Sequence, residues 1–186
     1  MILCSGSPRR KSLLESIGVK FSVYRPEIDE AYIPPEAPEE YSLRLARGKC
    51  KAGELKYPDD VIISADTIVV IGGEILGKPS DREDAVRMLS ALSGNEHTVI
   101  TGLAVYADGN IHAEAVKTLV KFRSLTNAEI YSYVETGECD DKAGGYAIQG
   151  KGSLLIEGIT GDYYNVMGLP LSTLYTMLKS ADISLL

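Results

Sequence analysis

The amino-acid sequence predicts an α/β fold in which helices flank a mixed β-sheet. Apolar runs of strand length alternate along the chain with segments of helical periodicity, a pattern typical of parallel strand pairing. Two turn signals, Gly72-Gly73 and Asp108-Gly109-Asn110, interrupt that alternation, and each joins two strands as a hairpin. The sheet is therefore expected to contain both parallel and antiparallel pairs.

Length and composition place the chain among ordinary globular proteins. Its 186 residues suit one domain, 1–186, and 45% of them are hydrophobic and 24% charged. A formal net charge of −7 argues against a general nucleic-acid binder, which needs a basic face. No stretch approaches the length of a membrane span and the first apolar run is too short for a signal peptide, so neither a membrane nor a secreted protein is expected.

The three cysteines are widely spaced and odd in number. Cys4, Cys50 and Cys139 form neither a metal-ligand pair nor a disulfide framework, which suits a reducing compartment. We therefore expect a cytoplasmic protein in which Cys4 and Cys50 pack in apolar surroundings.

The first third of the chain contains two apolar runs of strand length and two helical patterns. The expected elements are, in order, a strand at 1–4, a helix at 8–18, a strand at 21–24, an acidic loop at 27–38 and a helix from 38 to about 56. The first helix should bury Leu13, Leu14 and Ile17 and end at Gly18, which suits a left-handed terminator.

The remaining elements are marked by turn residues and by two capping-box patterns, Ser80-Asp81-Arg82-Glu83 and Thr126-Asn127-Ala128-Glu129. They are expected to be strands at 61–71 and 74–76, a helix ending at Gly94, hairpin strands at 98–106 and 111–122, a helix ending near Gly137, a glycine-rich loop at 139–152, a strand at 154–159 and a helix after Pro170. In the second hairpin strand, residues that suit a core alternate with mostly charged ones, so one face should be buried and the other solvated.

The turn after the first strand combines helix-start signals with cations. Ser7 suits a helix N-cap and Pro8 the first helical position, so free backbone N–H groups should point away from the strand. Arg9 and Arg10 oppose the helix dipole in this first turn. An anion, phosphate above all, would explain them, but a capped helix with solvated arginines explains the same residues.

Asp66 is the strongest single candidate for chemistry. It interrupts the most apolar run of the chain, where an isolated carboxylate must pair, become neutral or bind a metal. The alternative is a structural aspartate that backbone or hydroxyl donors satisfy.

Three further charged residues are weaker candidates taken singly. Lys49 follows Tyr41 and Leu45 at four-residue spacing, which places it on an apolar helix face, although such a lysine commonly extends its head to water. Lys78 is held in a rigid Gly-Lys-Pro turn but would ordinarily be solvated. Glu30 belongs to an acidic loop, and such loops are usually only solvated.

The glycine-rich loop carries an amide that suits base recognition. Its glycines let backbone approach a ligand closely, and Gln149 offers both a donor and an acceptor for a nucleobase edge. In the segment Asp162-Tyr163-Tyr164-Asn165, we expect Asn165 to cap the last helix.

Taken together, these segments closely resemble the Maf family, the septum-formation-inhibitor-like nucleoside triphosphate pyrophosphatases. The matching motifs occur in the family's order and span nearly the whole chain: Ser5-Gly6-Ser7-Pro8-Arg9-Arg10, Ala65-Asp66-Thr67, Gly77-Lys78-Pro79, the stretch 141–150 and the stretch 161–170. Cys4 departs from the family's usual alanine, which should affect packing only.

The resemblance implies a fold similar to that of inosine triphosphate pyrophosphatases, with two lobes around a cleft, and a homodimer. It also implies cleavage of a nucleoside triphosphate between its α and β phosphates, with Asp66 as the catalytic residue. Family chemistry implies Mg²⁺ or Mn²⁺, which Asp66 and Glu30 would hold, since Mg²⁺ takes one or two carboxylates plus phosphate oxygens. Phosphate binding would fall to Ser7, Arg10, Lys49 and Lys78.

The family has one branch acting on dTTP and UTP and another on 7-methylguanosine triphosphate. The specificity positions of the pyrimidine branch fall on Arg9, Thr67 and Gln149. The other branch carries Trp and Glu in place of that arginine and glutamine, and this chain has no Trp. A neutral amide also suits an uncharged pyrimidine edge better than a cationic methylated purine.

Two alternatives to a dTTP/UTP pyrophosphatase remain at this point. One is the 7-methylguanosine triphosphate pyrophosphatase, and the other is a nucleotide-binding regulator of division or septation with vestigial hydrolysis. Intact Asp66, Lys49, Lys78 and Arg10 argue against the second alternative.

Overall fold

The computed structural model describes all residues, 1–186, and forms an α/β structure of seven strands and six α-helices. The strands are β1 (Ile2–Cys4), β2 (Ser22–Tyr24), β3 (Ile62–Ile71), β4 (Glu74–Leu76), β5 (Glu96–Ala107), β6 (Asn110–Phe122) and β7 (Ile156–Thr160). The helices are α1 (Pro8–Ser16), α2 (Pro38–Lys56), α3 (Arg82–Leu92), α4 (Asn127–Val134), α5 (Tyr163–Val166) and α6 (Leu171–Lys179). None of the helices is both long and apolar enough to cross a membrane.

The strands form one mixed sheet, which confirms the predicted fold class. Its order is β2-β1-β3-β5-β6-β7, and β4 pairs with β3 outside that path. β1 runs parallel to both β2 and β3, whereas β4 runs antiparallel to β3 and β7 antiparallel to β6. Parallel pairing in the first part and hairpins later agree with the two sequence patterns.

The chain divides into two compact units, in agreement with the expected two lobes. Unit 1 contains Met1–Thr67, Thr101–Val116 and Met167–Leu186, and unit 2 contains Ile68–Ile100 and Lys117–Val166. Strands β3, β5 and β6 each contribute residues to both units.

The core of unit 1 forms where α2 packs closely on the sheet. Cys4, Cys50 and Ile62 are fully buried there, as expected for the two cysteines. A side chain at Gly53 would collide with Cys4 Sγ, and one at Gly102 would collide with the backbone of Ser42. These two glycines therefore allow the helix to approach the strands, and they fix the depth at which α2 presents its side chains.

The core of unit 2 is built from α3, α4 and the adjoining strands. Phe122, Tyr146 and His97 meet edge to face, with ring centroids 4.8 to 5.3 Å apart. Apolar residues of α3, including Met88 and Leu92, are buried in the same cluster.

Several local expectations need correction. Ile17 is 39% exposed rather than buried, because α1 ends at Ser16 and Ile17 lies at its C-cap. The N-cap of α3 is Asp81, whose carboxylate accepts from Asp84 N, so the capping box predicted from Ser80 is wrong by one residue. The capping box of Thr126 and Glu129 is confirmed.

The glycine-rich loop is more regular than expected, since it contains the 3-10 helices Ala143–Gly145 and Gly150–Leu155. The second of these takes up the start of the strand expected at 154–159, and β7 accordingly begins at Ile156.

Candidate active site

Asp66 is paired with Lys49 within unit 1. Asp66 follows four buried residues of β3, and its Oδ1 lies 2.6 Å from Lys49 Nζ on α2. The two side chains are 14% and 12% exposed. The sequence required a partner for this carboxylate, and the structure identifies it.

Lys49 also binds a second carboxylate. Its Nζ lies 2.7 Å from Glu30 Oε1, on the acidic loop before α2, and the Glu30 side chain is 58% exposed. One ammonium therefore joins two carboxylates, which leaves this three-residue cluster with one net negative charge.

Two side chains of α2 that the sequence analysis did not single out hold the Glu30 loop. Tyr41 OH donates to the Glu30 carbonyl at 2.8 Å, and Arg44 Nη2 donates to the Ala31 carbonyl at 2.8 Å. Arg44 also donates two hydrogen bonds to the Glu36 carboxylate, from Nε at 2.7 Å and from Nη2 at 3.0 Å. Burial, together with the negative charges of Asp66 and Glu30, raises the pKa of Tyr41, so this phenol stays protonated and able to donate. The four-residue spacing of Tyr41, Leu45 and Lys49 was the available signal for Tyr41.

Arg10 is buried, which excludes the alternative of a solvated arginine at this position. Its guanidinium donates to Gly168 O at 2.6 Å, to Ser5 Oγ at 3.1 Å and to Thr67 Oγ1 at 2.9 Å. Burial lowers the pKa of Arg10 and the nearby Asp66 carboxylate opposes that shift, but a guanidinium remains charged at neutral pH. Three of its five N–H groups are used, and all three acceptors are neutral.

The turn before α1 forms as predicted. Ser7 is the N-cap, with its Oγ accepting from Arg10 N at 3.5 Å, and its own N–H donates to Ser5 Oγ at 3.2 Å. Arg9 is half-buried in the first turn. The first turn of α1 contains no acidic side chain, so its positive end is not neutralised by the helix itself.

Thr67 belongs to the same polar group. Its Oγ1 accepts from Arg10 and lies 2.9 Å from Thr101 Oγ1. The structure thus brings Ser7, Arg10 and Thr67 into one hydrogen-bonded group and Glu30, Lys49 and Asp66 into one ion-paired group, all within unit 1.

Lys78 and Gln149 lie in unit 2, and both side chains are exposed. Neither side chain makes a hydrogen bond or an ion pair. Lys78 sits in the turn between β4 and α3, where the Gly77 carbonyl accepts from Gly144 N at 2.9 Å. That bond connects the Lys78 turn to the glycine-rich loop.

Asn165 does not cap the last helix, contrary to expectation. It is fully buried, and its Nδ2 donates to Val99 O at 3.1 Å and to Thr118 Oγ1 at 3.0 Å. Asp162 instead caps the short helix α5, and α6 begins after Pro170. Asn165 is therefore a structural link in the core of unit 2.

The carboxylates of Asp66 and Glu30, which are the expected ligands of a divalent cation, have a chemistry and an orientation that fit such an ion. Asp66 and Glu30 already direct one oxygen each at a single cationic atom, Lys49 Nζ, and carboxylate oxygens are what Mg²⁺ and Mn²⁺ prefer. No group of three or more His, Cys, Asp or Glu side chains is arranged to hold a metal ion. These two carboxylates would therefore need phosphate or water oxygens to complete the coordination.

Comparison with known proteins bears on the whole chain. Residues 1–181 match a family described as Maf-like protein. A dTTP/UTP pyrophosphatase of Geobacter metallireducens is 51% identical over 173 residues, 92% of this chain and 90% of the relative. Those of Halalkalibacterium halodurans and Symbiobacterium thermophilum are 48% and 47% identical over 96% of this chain, and the matches cover 94% and 92% of the relatives. On a match of this extent, the chain belongs to the Maf family.

Proposed function

We propose that this protein is a dTTP/UTP pyrophosphatase, which hydrolyses the nucleotide between its α and β phosphates to the monophosphate and pyrophosphate. The observation that carries the proposal is the cluster in which Lys49 joins Asp66 and Glu30, since it combines a cation and two carboxylates at a partly buried point. The names of the full-length relatives support the same activity.

Positive groups would receive the triphosphate. Arg10 is charged and bonded only to neutral oxygens, Lys78 has no protein partner, and Ser7 begins a helix whose positive end is not offset by an acid. Lys49 would exchange a carboxylate contact for a phosphate oxygen. Such preplaced cations stabilise the charge that develops as the phosphorus is attacked.

Asp66 is assigned to the attacking water. The water oxygen bonds to one of the two phosphorus atoms that flank the α–β bridge, the bond from that phosphorus to the bridging oxygen breaks, and the Asp66 carboxylate accepts the proton. A partly buried position limits bulk water around this carboxylate.

Mg²⁺ or Mn²⁺ is proposed as the cofactor, with Asp66 and Glu30 as its protein ligands. When bound, such an ion neutralises phosphate charge and lowers the pKa of a coordinated water. Tyr41 and Arg44 would keep the Glu30 backbone in place while its carboxylate changes partner.

Base selection is assigned to Arg9, Thr67 and Gln149. The exposed amide of Gln149 has no protein partner, so both its donor and its acceptor are available to a uracil or thymine edge. A carboxylate there would favour a cationic base, which is why the pyrimidine nucleotides are preferred over 7-methylguanosine triphosphate.

The cellular setting is also part of the proposal. We expect a cytoplasmic enzyme, consistent with three cysteines that are all free, and we expect a homodimer as in the family.

A panel of nucleoside triphosphates assayed with Mg²⁺ and with Mn²⁺ tests the proposal. We expect dTTP and UTP to be hydrolysed fastest, with monophosphate and pyrophosphate as products by chromatography. Release of orthophosphate would overturn the α–β assignment. Preference for 7-methylguanosine triphosphate, or tight dTTP binding without turnover, would overturn the pyrimidine pyrophosphatase itself.

A further inference from the structure

We propose that Tyr133 and Glu138 are positioning residues that hold the Gln149 turn and thereby set discrimination between nucleobases. This inference rests on the proposed role of Gln149 and extends it to two residues that have no assigned role. Both lie at the C-terminal end of α4 or just beyond it, in the same unit as Gln149.

Gln149 occupies the middle of a turn whose ends touch. A side chain at Gly152 would collide with the Ala147 carbonyl, so the backbone at 152 lies directly against the backbone at 147. Gly150, directly after Gln149, has φ of 64°, a left-handed conformation that favours glycine. The turn 147–152 is therefore closed at its base, with the free amide at its tip.

Each end of this turn is hydrogen-bonded to a different anchor. Ala147 N donates to Tyr133 OH at 3.1 Å, and Tyr133 is buried in the core of unit 2. The amides of Lys151 and Gly152 donate to the two oxygens of the Glu138 carboxylate, both at 3.2 Å.

The hydrogen bonds of the Glu138 carboxylate are those that it accepts from Lys151 N and Gly152 N. It makes no ion pair, and a side chain at Gly150 would lie 2.9 Å from its Oε1, so the turn backbone is folded directly onto the carboxylate. A charged acceptor bonded to two backbone N–H groups is stronger than a neutral one. The preceding residue of the loop is fixed as well, because Tyr146 OH lies 2.7 Å from Nε2 of buried His97.

These contacts matter because Gln149 itself has no protein partner. A side chain that reads a base edge must be held in place by its backbone, or the ordering cost reduces discrimination. Loosening either anchor should therefore weaken recognition of the correct base more than it slows the chemical step.

The test uses Glu138→Gln and Tyr133→Phe, which keep side-chain size but replace a carboxylate oxygen by an N–H donor or remove the hydroxyl acceptor. Matched controls are Glu135→Gln and Tyr131→Phe, whose side chains are on the exposed side of the same region. The values of kcat and KM are measured for UTP and CTP with the full chain and saturating metal. We expect the UTP/CTP ratio of kcat/KM to fall about tenfold in the two anchor variants, mainly through KM for UTP, and to be unchanged in the controls.

A double-mutant cycle separates positioning from general damage. Gln149→Ala alone should lower the UTP/CTP ratio of kcat/KM at least as much as either anchor variant, and adding Glu138→Gln or Tyr133→Phe to it should change that ratio no further. Equal losses on both nucleotides, or additive effects with Gln149→Ala, would overturn the positioning role. If the wild type hydrolyses UTP selectively but Gln149→Ala does not alter the ratio, both the Gln149 assignment and this inference are wrong. Failure of the wild type to hydrolyse UTP would reject the proposed function instead.

Discussion

The two units hold their candidate functional groups in opposite ways. In unit 1 the side chains bind one another: Lys49 joins Asp66 and Glu30, and Arg10 binds Thr67 and Ser5. In unit 2 the side chains of Lys78 and Gln149 have no protein partner, and the backbone of their loops is bonded instead. If the proposed roles are correct, a ligand of Lys49 would replace an existing ion pair, whereas a ligand of Lys78 or Gln149 would meet side chains that no other residue binds.

This difference separates effects on stability from effects on activity. Removing a partner in unit 1 leaves another buried polar group unpaired, which costs about 1–3 kcal/mol for a neutral group and more for a charged one. Removing the exposed side chain of Lys78 or Gln149 in unit 2 leaves no other group unpaired. We therefore expect such a change to alter ligand binding but not the free energy of unfolding.

The largest expected effect is that of Asp66→Asn. The substitution keeps the shape but removes the proton acceptor and the charge facing Lys49, so kcat should fall by about 10² to 10⁴. Steady-state kinetics and thermal unfolding measure activity and stability together, and we expect a folded protein. Exposed Asp59 supplies a control, Asp59→Asn, which should keep full turnover. Wild-type turnover in Asp66→Asn would remove Asp66 from the reaction.

The second prediction compares Arg10 with its neighbour Arg9. Arg10→Ala leaves three acceptors, including Gly168 O and Thr67 Oγ1, without their donor, so it should lower stability by a few kcal/mol and depress activity on every nucleotide about equally. Arg9→Ala should instead alter the order of preference among nucleotides. Denaturant unfolding and the nucleotide panel provide the two readouts. Uniform loss of activity in both variants would contradict this division of roles.

The third prediction contrasts two lysines, one in each unit. Lys49→Gln removes the cation between Glu30 and Asp66 and should weaken both folding and catalysis. Lys78→Gln should raise KM by about tenfold, with the midpoint of thermal unfolding unchanged, since Lys78 has no protein partner. A lowered midpoint in Lys78→Gln would show that the contrast between the units is wrong.

The smallest expected effect is a pH dependence of stability in unit 2. Burial lowers the pKa of His97 to about 4, so the unfolded chain binds a proton there at pH values where the folded chain does not. The contribution of His97 to the free energy of unfolding is fully present above pH 6.5. It is lost as the pH falls toward 4, by up to about 3 kcal/mol.

His97→Gln removes that titrating group. Although it is less stable at pH 7 because ring packing is lost, this variant should lose less stability than the wild type between pH 7 and pH 5. Urea unfolding at the two pH values measures the difference, with His112→Gln, an exposed histidine, as the matched control. An equal loss in His97→Gln and the wild type would exclude this contribution.

The sequence predicted those features that depend on neighbouring residues. Ser7 caps α1 because the cap, the proline and the helix are consecutive, and Asp66 needed a partner because its own strand is apolar. The helix predicted from 38 to about 56 has the same bounds as α2, since its start and its periodicity are also local features.

Features that depend on distant parts of the chain were missed or wrong. The burial of Arg10 depends on Gly168, 158 residues away, and no local pattern reports that contact. Asn165 resembles a cap in the sequence, yet its amide binds Val99 and Thr118 in the core. The carboxylate of Glu138 was likewise indistinguishable from a solvated one until the turn at 147–152 was located.

The bond between Arg10 Nε and the Gly168 carbonyl also has a consequence for biosynthesis. Arg10 is translated 158 residues before Gly168, so roughly 8 to 30 s of synthesis separate the two. During that time the guanidinium lacks at least one of its three acceptors, and it lacks two until Thr67 has been added. Because the Arg10 side chain cannot make all of its observed contacts before Gly168 is available, we expect any nucleotide binding that depends on Arg10 to begin only then.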